Sequence, residues 1–115
     1  MQSIITNPKA QLKNFTKAPD KEVIQELISS ALDFKSDPFK NQHIGKNKTL
    51  VLLFLNPSLR TRLSTQKAGL NLGMSVIDIN ANDGWKLEYE DNIIMDSDKA
   101  EHIREAAQVI SQYGD

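Results

Sequence analysis

Thr49 to Leu55, TLVLLFL, runs for seven residues with no polar position after the first. A strand with one face in water alternates apolar and polar residues. A continuous apolar run fits a strand covered on both faces, as in a parallel sheet. Parallel neighbours cannot be joined by a hairpin, so the chain must cross over, usually through a helix. Asn56-Pro57 stops the run, and Ser58 is a suitable N-cap for a helix that reaches Leu72. Gly73 suits the C′ position, and Met74 to Ile79 (MSVIDI) reads as a second strand. Strand, helix and strand make one βαβ unit, for which a right-handed crossover is expected.

The turn that opens this helix is Asn56-Pro57-Ser58-Leu59-Arg60-Thr61-Arg62. A helix N-terminus presents unpaired N–H groups and a partial positive charge of about half a unit. Cations are stabilising at the opposite end. Arg60 and Arg62 are therefore locally misplaced unless an anion sits with them. Ser58 and Thr61 add two hydroxyls. An isolated Arg-x-Arg would ordinarily be two solvated side chains. Here the buried strand, the breaker, the cap and the second hydroxyl converge on a phosphate site. A nucleotide P-loop is excluded, because the chain has no Gly-rich run and no Gly-Lys-Ser/Thr.

Around this unit, Asp20 can cap a helix to about Lys35, with Val23, Ile24, Leu27, Ile28, Ala31 and Leu32 at helical spacing. Ser36-Asp37-Pro38 ends it. Met1 to Ala18 reads as an irregular lead-in, Phe39 to Lys48 as a polar loop, and Asn80 to Asp98 as a long acidic loop. Asp98-x-x-Glu101 is a capping-box pattern, opening a last helix with Ile103, Ala106, Ala107 and Ile110 on one face. The 115 residues fit one α/β domain, 1–115. A net charge of −1 points to no nucleic-acid or membrane partner, and the absence of cysteine removes disulfides and thiolate metal sites. His43 and His102 have no partner at ligand spacing, and read as solvated. Glu88, Glu90, Asp91, Asp96 and Asp98 lack the Gly-centred alternation of a calcium loop, and read as solvated too. No metal site is expected. With no apolar h-region or long apolar span, the expected location is cytoplasmic.

Ser58-Leu59-Arg60-Thr61-Arg62, followed by Leu63-Ser64-Thr65, resembles the carbamoyl-phosphate motif of the aspartate/ornithine carbamoyltransferase family, usually Ser-Thr-Arg-Thr-Arg. Leu59 in place of threonine, with Trp85 in the next loop, looks like the branch acting on N-acetyl- or N-succinylornithine. The resemblance runs from about Asp20 to Asp115, and is most specific from Phe54 to Asp98. It implies a parallel-sheet, Rossmann-like fold, that of the N-terminal carbamoyl-phosphate-binding domain. It also implies a reaction in arginine biosynthesis, in which the δ-amine of an N-acylornithine takes the carbamoyl group and phosphate leaves. No cofactor is implied. Ser58, the Leu59 and Arg60 N–H groups, Arg60, Thr61 and Arg62 would hold the phosphate. Arg60 and Thr61 would be catalytic, Thr61 by polarising the carbamoyl oxygen.

Taken alone, Trp85 is a loop aromatic folded onto its own domain. The resemblance implies instead that it enters the carbamoyl-phosphate site of a neighbouring subunit, within a homotrimer. Ile94 to His102 resembles the family's acyl-ornithine loop, where acetyl-type enzymes carry an acidic residue and succinyl-type enzymes a proline. Counting on from Trp85, that position is Ala100. A carboxylate would repel the extra carboxylate of a succinyl group and alanine would not, which favours N-succinylornithine. Glu101 stands beside it, turned toward the helix end if it serves the capping box.

The family's second, amino-acid-binding domain has no counterpart in these residues, and neither does the parallel strand that should follow the last helix. The expectation is a truncated piece of a longer enzyme, inactive alone, with an uncovered sheet edge that drives association. The alternatives are a non-catalytic phosphate-binding or oligomerisation module, an unrelated Rossmann-like phosphate binder, or an ornithine or aspartate carbamoyltransferase fragment. Leu59 and Trp85 argue against the last.

Overall fold

Strand β1 (Thr49–Phe54) and strand β2 (Ser75–Asn80) lie parallel, in register from Thr49 opposite Ser75 to Phe54 opposite Asn80. Helix α2 (Leu59–Asn71) connects them, so the expected βαβ unit is present with ends within a residue or two of those read from the sequence. This computed structural model describes residues 17–80, 86–92, 94–95 and 101–115. They fall into two units, Met1–Asn41 and Gln42–Asp115.

Both faces of the sheet carry a helix, as the unbroken apolar run requires. On one face Gly69 of α2 lies against Leu50 and Val76, where a Cβ would meet Leu50 Cδ2 at 2.9 Å and Val76 Cγ2 at 3.1 Å. On the other face sits helix α3 (Ile103–Ile110). Its buried Ala106 packs with Leu87, and Leu53, Ile103 and Ile110 join that cluster. Leu50 thus meets α2 and Leu53 meets α3, the opposite faces that an odd separation along a strand imposes. On the edge of β1 away from β2, Thr49 is bonded twice to Asp115. The Asp115 N–H donates to the Thr49 carbonyl at 3.1 Å, and the Thr49 N–H donates to Asp115 Oδ2 at 2.8 Å. The first residue of that edge is therefore paired, contrary to the expectation of an edge left wholly uncovered.

Helix α2 stops at Gly73 for a reason visible in its hydrogen bonds. The Gly73 N–H donates to Leu70 O at 3.0 Å and the Met74 N–H to Gly69 O at 3.0 Å, the paired bonds of a Schellman C-cap. Gly73 has φ +82°, and a Cβ there would lie 2.0 Å from the Gln42 carbonyl oxygen. Both the left-handed backbone and the close approach demand glycine.

The segment after β2 departs from the expected single loop. β3 (Leu87–Glu88) and β4 (Glu101–His102) pair in parallel, Leu87 opposite Glu101 and Glu88 opposite His102. This bridge fastens the two ends of the loop together immediately before α3. Two-residue strands carry no periodic signal by which it could be foreseen.

In the first unit, α1 (Lys21–Ser36) has Asp20 at its N-cap position, but the Asp20 side chain makes no capping bond. Its last turn is held by Lys40, whose Nζ lies 3.8 Å from the Asp33 carboxylate and 4.7 Å from the Phe34 ring centre. Val23 is buried, whereas Ile24, Ile28 and Leu32 on the apolar stripe remain exposed. Ile24 and Ile28 border a groove of about 570 Å³ that Lys17, Ala18, Pro19, Leu27 and Ala31 also line. Among the described residues no helix is long and apolar enough to cross a membrane.

Gly73→Ala should destabilise the protein by about 1–3 kcal/mol, the usual cost of a left-handed non-glycine residue, with the Gln42 contact adding to it. Urea unfolding at matched conditions measures this, and an unchanged midpoint would contradict the account of the cap.

Candidate functional site

The C-terminal end of β1 delivers the chain to the first turn of α2. Ser58 occupies the N-cap position, with φ −133° and ψ 68°. Its carbonyl accepts from the Arg62 N–H at 2.9 Å, but its side chain makes no capping bond. No acidic residue lies in the first turn. The helix end therefore keeps its open N–H groups and its positive end without an internal counter-charge. Ser58 is half-buried, while Leu59, Arg60 and Thr61 are exposed. The Thr61 carbonyl accepts from Ser64 Oγ at 3.2 Å.

The two arginines of the turn are in different situations. Among the described residues Arg60 has no ion-pair partner, and it faces solvent. Arg62 donates from Nε at 3.2 Å and from Nη2 at 2.7 Å to a single oxygen, Oδ2 of Asp78 on β2. Its guanidinium also lies 6.0 Å from the ring centre of Phe54, the last residue of β1. One arginine is thus available to an external anion, and the other ties the helix to both strands. From the sequence pattern alone the two arginines look alike, and nothing there joins either to Asp78. A signal existed: Asp78 is the one charged residue in the strand MSVIDI, and a carboxylate in a half-buried strand needs a partner.

The second candidate region is partly within view. Trp85 and Ala100 lie outside the described residues, as does Asp98 of the expected capping box. Glu101 is not a capping residue of the last helix, because its backbone belongs to β4, before the helix begins. The cap of α3 is His102, whose Nδ1 accepts from the Arg104 N–H at 3.1 Å. Its Nε2 lies 2.9 Å from the Glu90 carbonyl oxygen, so the tautomer protonated at Nε2 satisfies both contacts. His102 is therefore not simply solvated: it joins the start of α3 to the acidic segment.

Glu88 also departs from the expectation of a solvated acidic loop. It is only 5% exposed, and its Oε1 accepts from the N–H groups of Tyr89 and Glu90, both at 3.0 Å. A buried carboxylate organises the turn after β3 from within. Arg104 pairs with Asp91 on the exposed side of the same segment. Among the described residues no group of three or more His, Asp or Glu side chains is arranged to hold a metal ion.

With this geometry, residues 13–115 match the family described as aspartate/ornithine carbamoyltransferase, carbamoyl-P binding domain. The chain belongs to that family. It is 50% identical over 105 residues to an N-succinylornithine carbamoyltransferase of Bacteroides fragilis, covering 90% of this chain and 33% of the relative. It is 33% identical over 107 residues to an N-acetylornithine carbamoyltransferase of Xanthomonas campestris pv. campestris, covering 90% and 31%. The chain thus spans about a third of the length of these relatives. A solved structure with TM-score 0.76 and 32% identity covers 90% of this chain and 32% of its own. It is a point mutant of N-acetyl-L-ornithine transcarbamylase complexed with carbamyl phosphate and N-succinyl-L-norvaline. Carbamoyltransferase membership accounts for the parallel βαβ core and for the helix end presented beyond β1.

Loss of the α3 cap provides a test of this loop account. His102→Ala should cost about 0.5–2 kcal/mol, the range for an N-cap side chain, and should free the Glu90 segment. Amide hydrogen exchange should speed up at Arg104 and in the first turn of α3. Unaltered exchange there would contradict the capping role.

Proposed function

We propose that this chain is the carbamoyl-phosphate-binding part of an N-succinylornithine carbamoyltransferase of arginine biosynthesis. The observation that carries the reading is the N-terminus of α2, where the Ser58 side chain makes no capping bond and Arg60 has no ion-pair partner among the described residues. On this reading the phosphate group sits on the N–H groups of Leu59 and Arg60 and on the Ser58 hydroxyl. Arg60 grips it with two charge-assisted hydrogen bonds. Thr61 donates to the carbamoyl oxygen, where negative charge grows as the carbon is attacked. Arg62 stands in the same turn with its charge offset by Asp78. The δ-amine nitrogen forms the new C–N bond, and the C–O bond to phosphate breaks with its electron pair leaving on the phosphate, which takes up the proton that the amine loses. No metal or organic cofactor is invoked. Positioning two substrates and stabilising charge supply the rate. A cytoplasmic location belongs to the same proposal.

The preference for a succinyl over an acetyl substrate rests on two supports. The Bacteroides relatives, at 50% and 49% identity, carry the succinylornithine name. Solved mutants of N-acetyl-L-ornithine transcarbamylase in which one Glu is replaced by Ser, Val, Pro or Ala hold N-succinyl-L-norvaline. Ala100 stands where the family resemblance puts that choice, and Glu101 follows it. Removing a carboxylate there removes repulsion against the succinyl carboxylate.

We also propose a homotrimer in which Trp85 of one subunit completes the carbamoyl-phosphate site of the next. Its support is an uncovered apolar stripe on α2: Leu59, Leu63 and Leu70 are 70%, 56% and 52% exposed. Spaced by four and by seven, they share one face that begins beside Arg60. Large apolar side chains aligned this way mark a surface that packs against a partner.

Calorimetric titration with carbamoyl phosphate and with inorganic phosphate tests the site. Arg60→Ala should weaken binding at least tenfold, in line with the roughly 1.5–3 kcal/mol of a hydrogen bond to a charged group. Equal affinity in a folded variant would refute the assignment. Sedimentation should find a trimer whose association weakens in Trp85→Ala. A folded monomer at high protein concentration would refute the shared site.

A further inference from the structure

The Arg62–Asp78 pair has a geometric consequence for Arg60. Two residues along an α-helix are separated by about 200° of rotation, so residues at i and i+2 look in nearly opposite directions. Asp78 holds Arg62 against the sheet, and Arg60 is thereby turned outward, where it is exposed. We propose that Asp78 is a positioning residue for the phosphate site: acting through Arg62, it sets the rotation of the first turn of α2. The proposal rests on the phosphate reading of that turn.

Three features of the pair support it. The first is place. Asp78 is opposite Leu52 in the sheet register, two residues beyond Val76, which touches Gly69. It therefore projects on the α2 face of β2. Helix α2 is pinned at two points, by tight packing at Gly69 toward its C-terminal end and by the ion pair in its first turn. The second is the bonding pattern. Arg62 Nε and Nη2 both use Oδ2, while Asp78 Oδ1 is buried with no hydrogen-bond partner. A pair that served adhesion alone would be favoured by engaging both oxygens, the fork-to-fork arrangement. Leaving a buried carboxylate oxygen unpaired carries a cost. The third is charge. Asp78 neutralises Arg62 locally, which leaves Arg60 as the arginine of the turn with no ion-pair partner among the described residues. An incoming dianion is then drawn to Arg60 and to the helix end.

The test is titration calorimetry with inorganic phosphate on the 115-residue chain, paired with urea unfolding of each variant. Asp78→Asn keeps the side-chain shape and removes the charge. It should weaken phosphate binding about fivefold or more at a urea-free condition where the variant is folded. In an Arg62→Met background the same Asp78→Asn change should alter affinity less than about twofold, because its route to the site is gone. Asp78→Glu, which retains a carboxylate, should recover most of the affinity, and it serves as the comparison if Asp78→Asn fails to fold. A residue with only a structural role would move the unfolding midpoint and leave affinity alone. Wild-type affinity in folded Asp78→Asn, or an equal loss with and without Arg62, would overturn the proposal. So would an Asp78→Glu variant that folds but binds no better than Arg62→Met. The phosphate reading itself fails separately, if wild type binds no phosphate or if Arg60→Ala binds as wild type does.

Discussion

Parallel pairing of two apolar strands is the constraint on which the rest depends. β1 and β2 are held in register over six residue pairs, and neither can be left with a bare face. The crossover that parallel pairing requires becomes α2, and α3 covers the opposite face. Because α2 must start where β1 ends, its unpaired N–H groups emerge at the C-terminal edge of the sheet. Ligands of open α/β sheets commonly bind at that edge. The exposed N-terminal end of the helix is thus a by-product of how the sheet is built.

Electrostatics at that helix end work by separation. Both arginines oppose the helix dipole, yet among the described residues Arg62 alone is offset, by Asp78. The pair is partly buried, with side chains 27% and 16% exposed, so it is screened less than a surface pair. Arg60 retains its full charge at the surface. Identical residues two positions apart therefore serve different ends, and the difference comes from which of them the neighbouring strand can reach.

The described core is small. Val23, Leu52, Leu87 and Ala106 are its buried apolar residues, while leucines of α2 and isoleucines of α1 stay exposed. A two-stranded sheet cannot by itself cover that much apolar surface. What stiffens the second unit beyond its core is polar: the buried Glu88 carboxylate, the His102 cap and the Asp115–Thr49 bonds each satisfy backbone groups that would otherwise be stranded.

The sequence by itself determined the βαβ unit, the glycine stop at Gly73, the helical spacing of α1 and α3, and the turn that opens α2 at Ser58. Each depends on neighbours within a few residues, where periodicity, N–H supply and backbone sterics act directly. Ser58 was legible as the residue at the N-cap position, but not that its side chain would stay uncommitted. Tertiary structure alone decided that Arg62 pairs with Asp78, that Glu88 is buried, that His102 at the N-cap of α3 reaches the Glu90 carbonyl, and that β3 meets β4. The Arg62–Asp78, His102–Glu90 and β3–β4 contacts join residues 12 to 16 positions apart in sequence. Which polar groups meet across such distances depends on how strands and helices pack, and no local pattern of residue types encodes that.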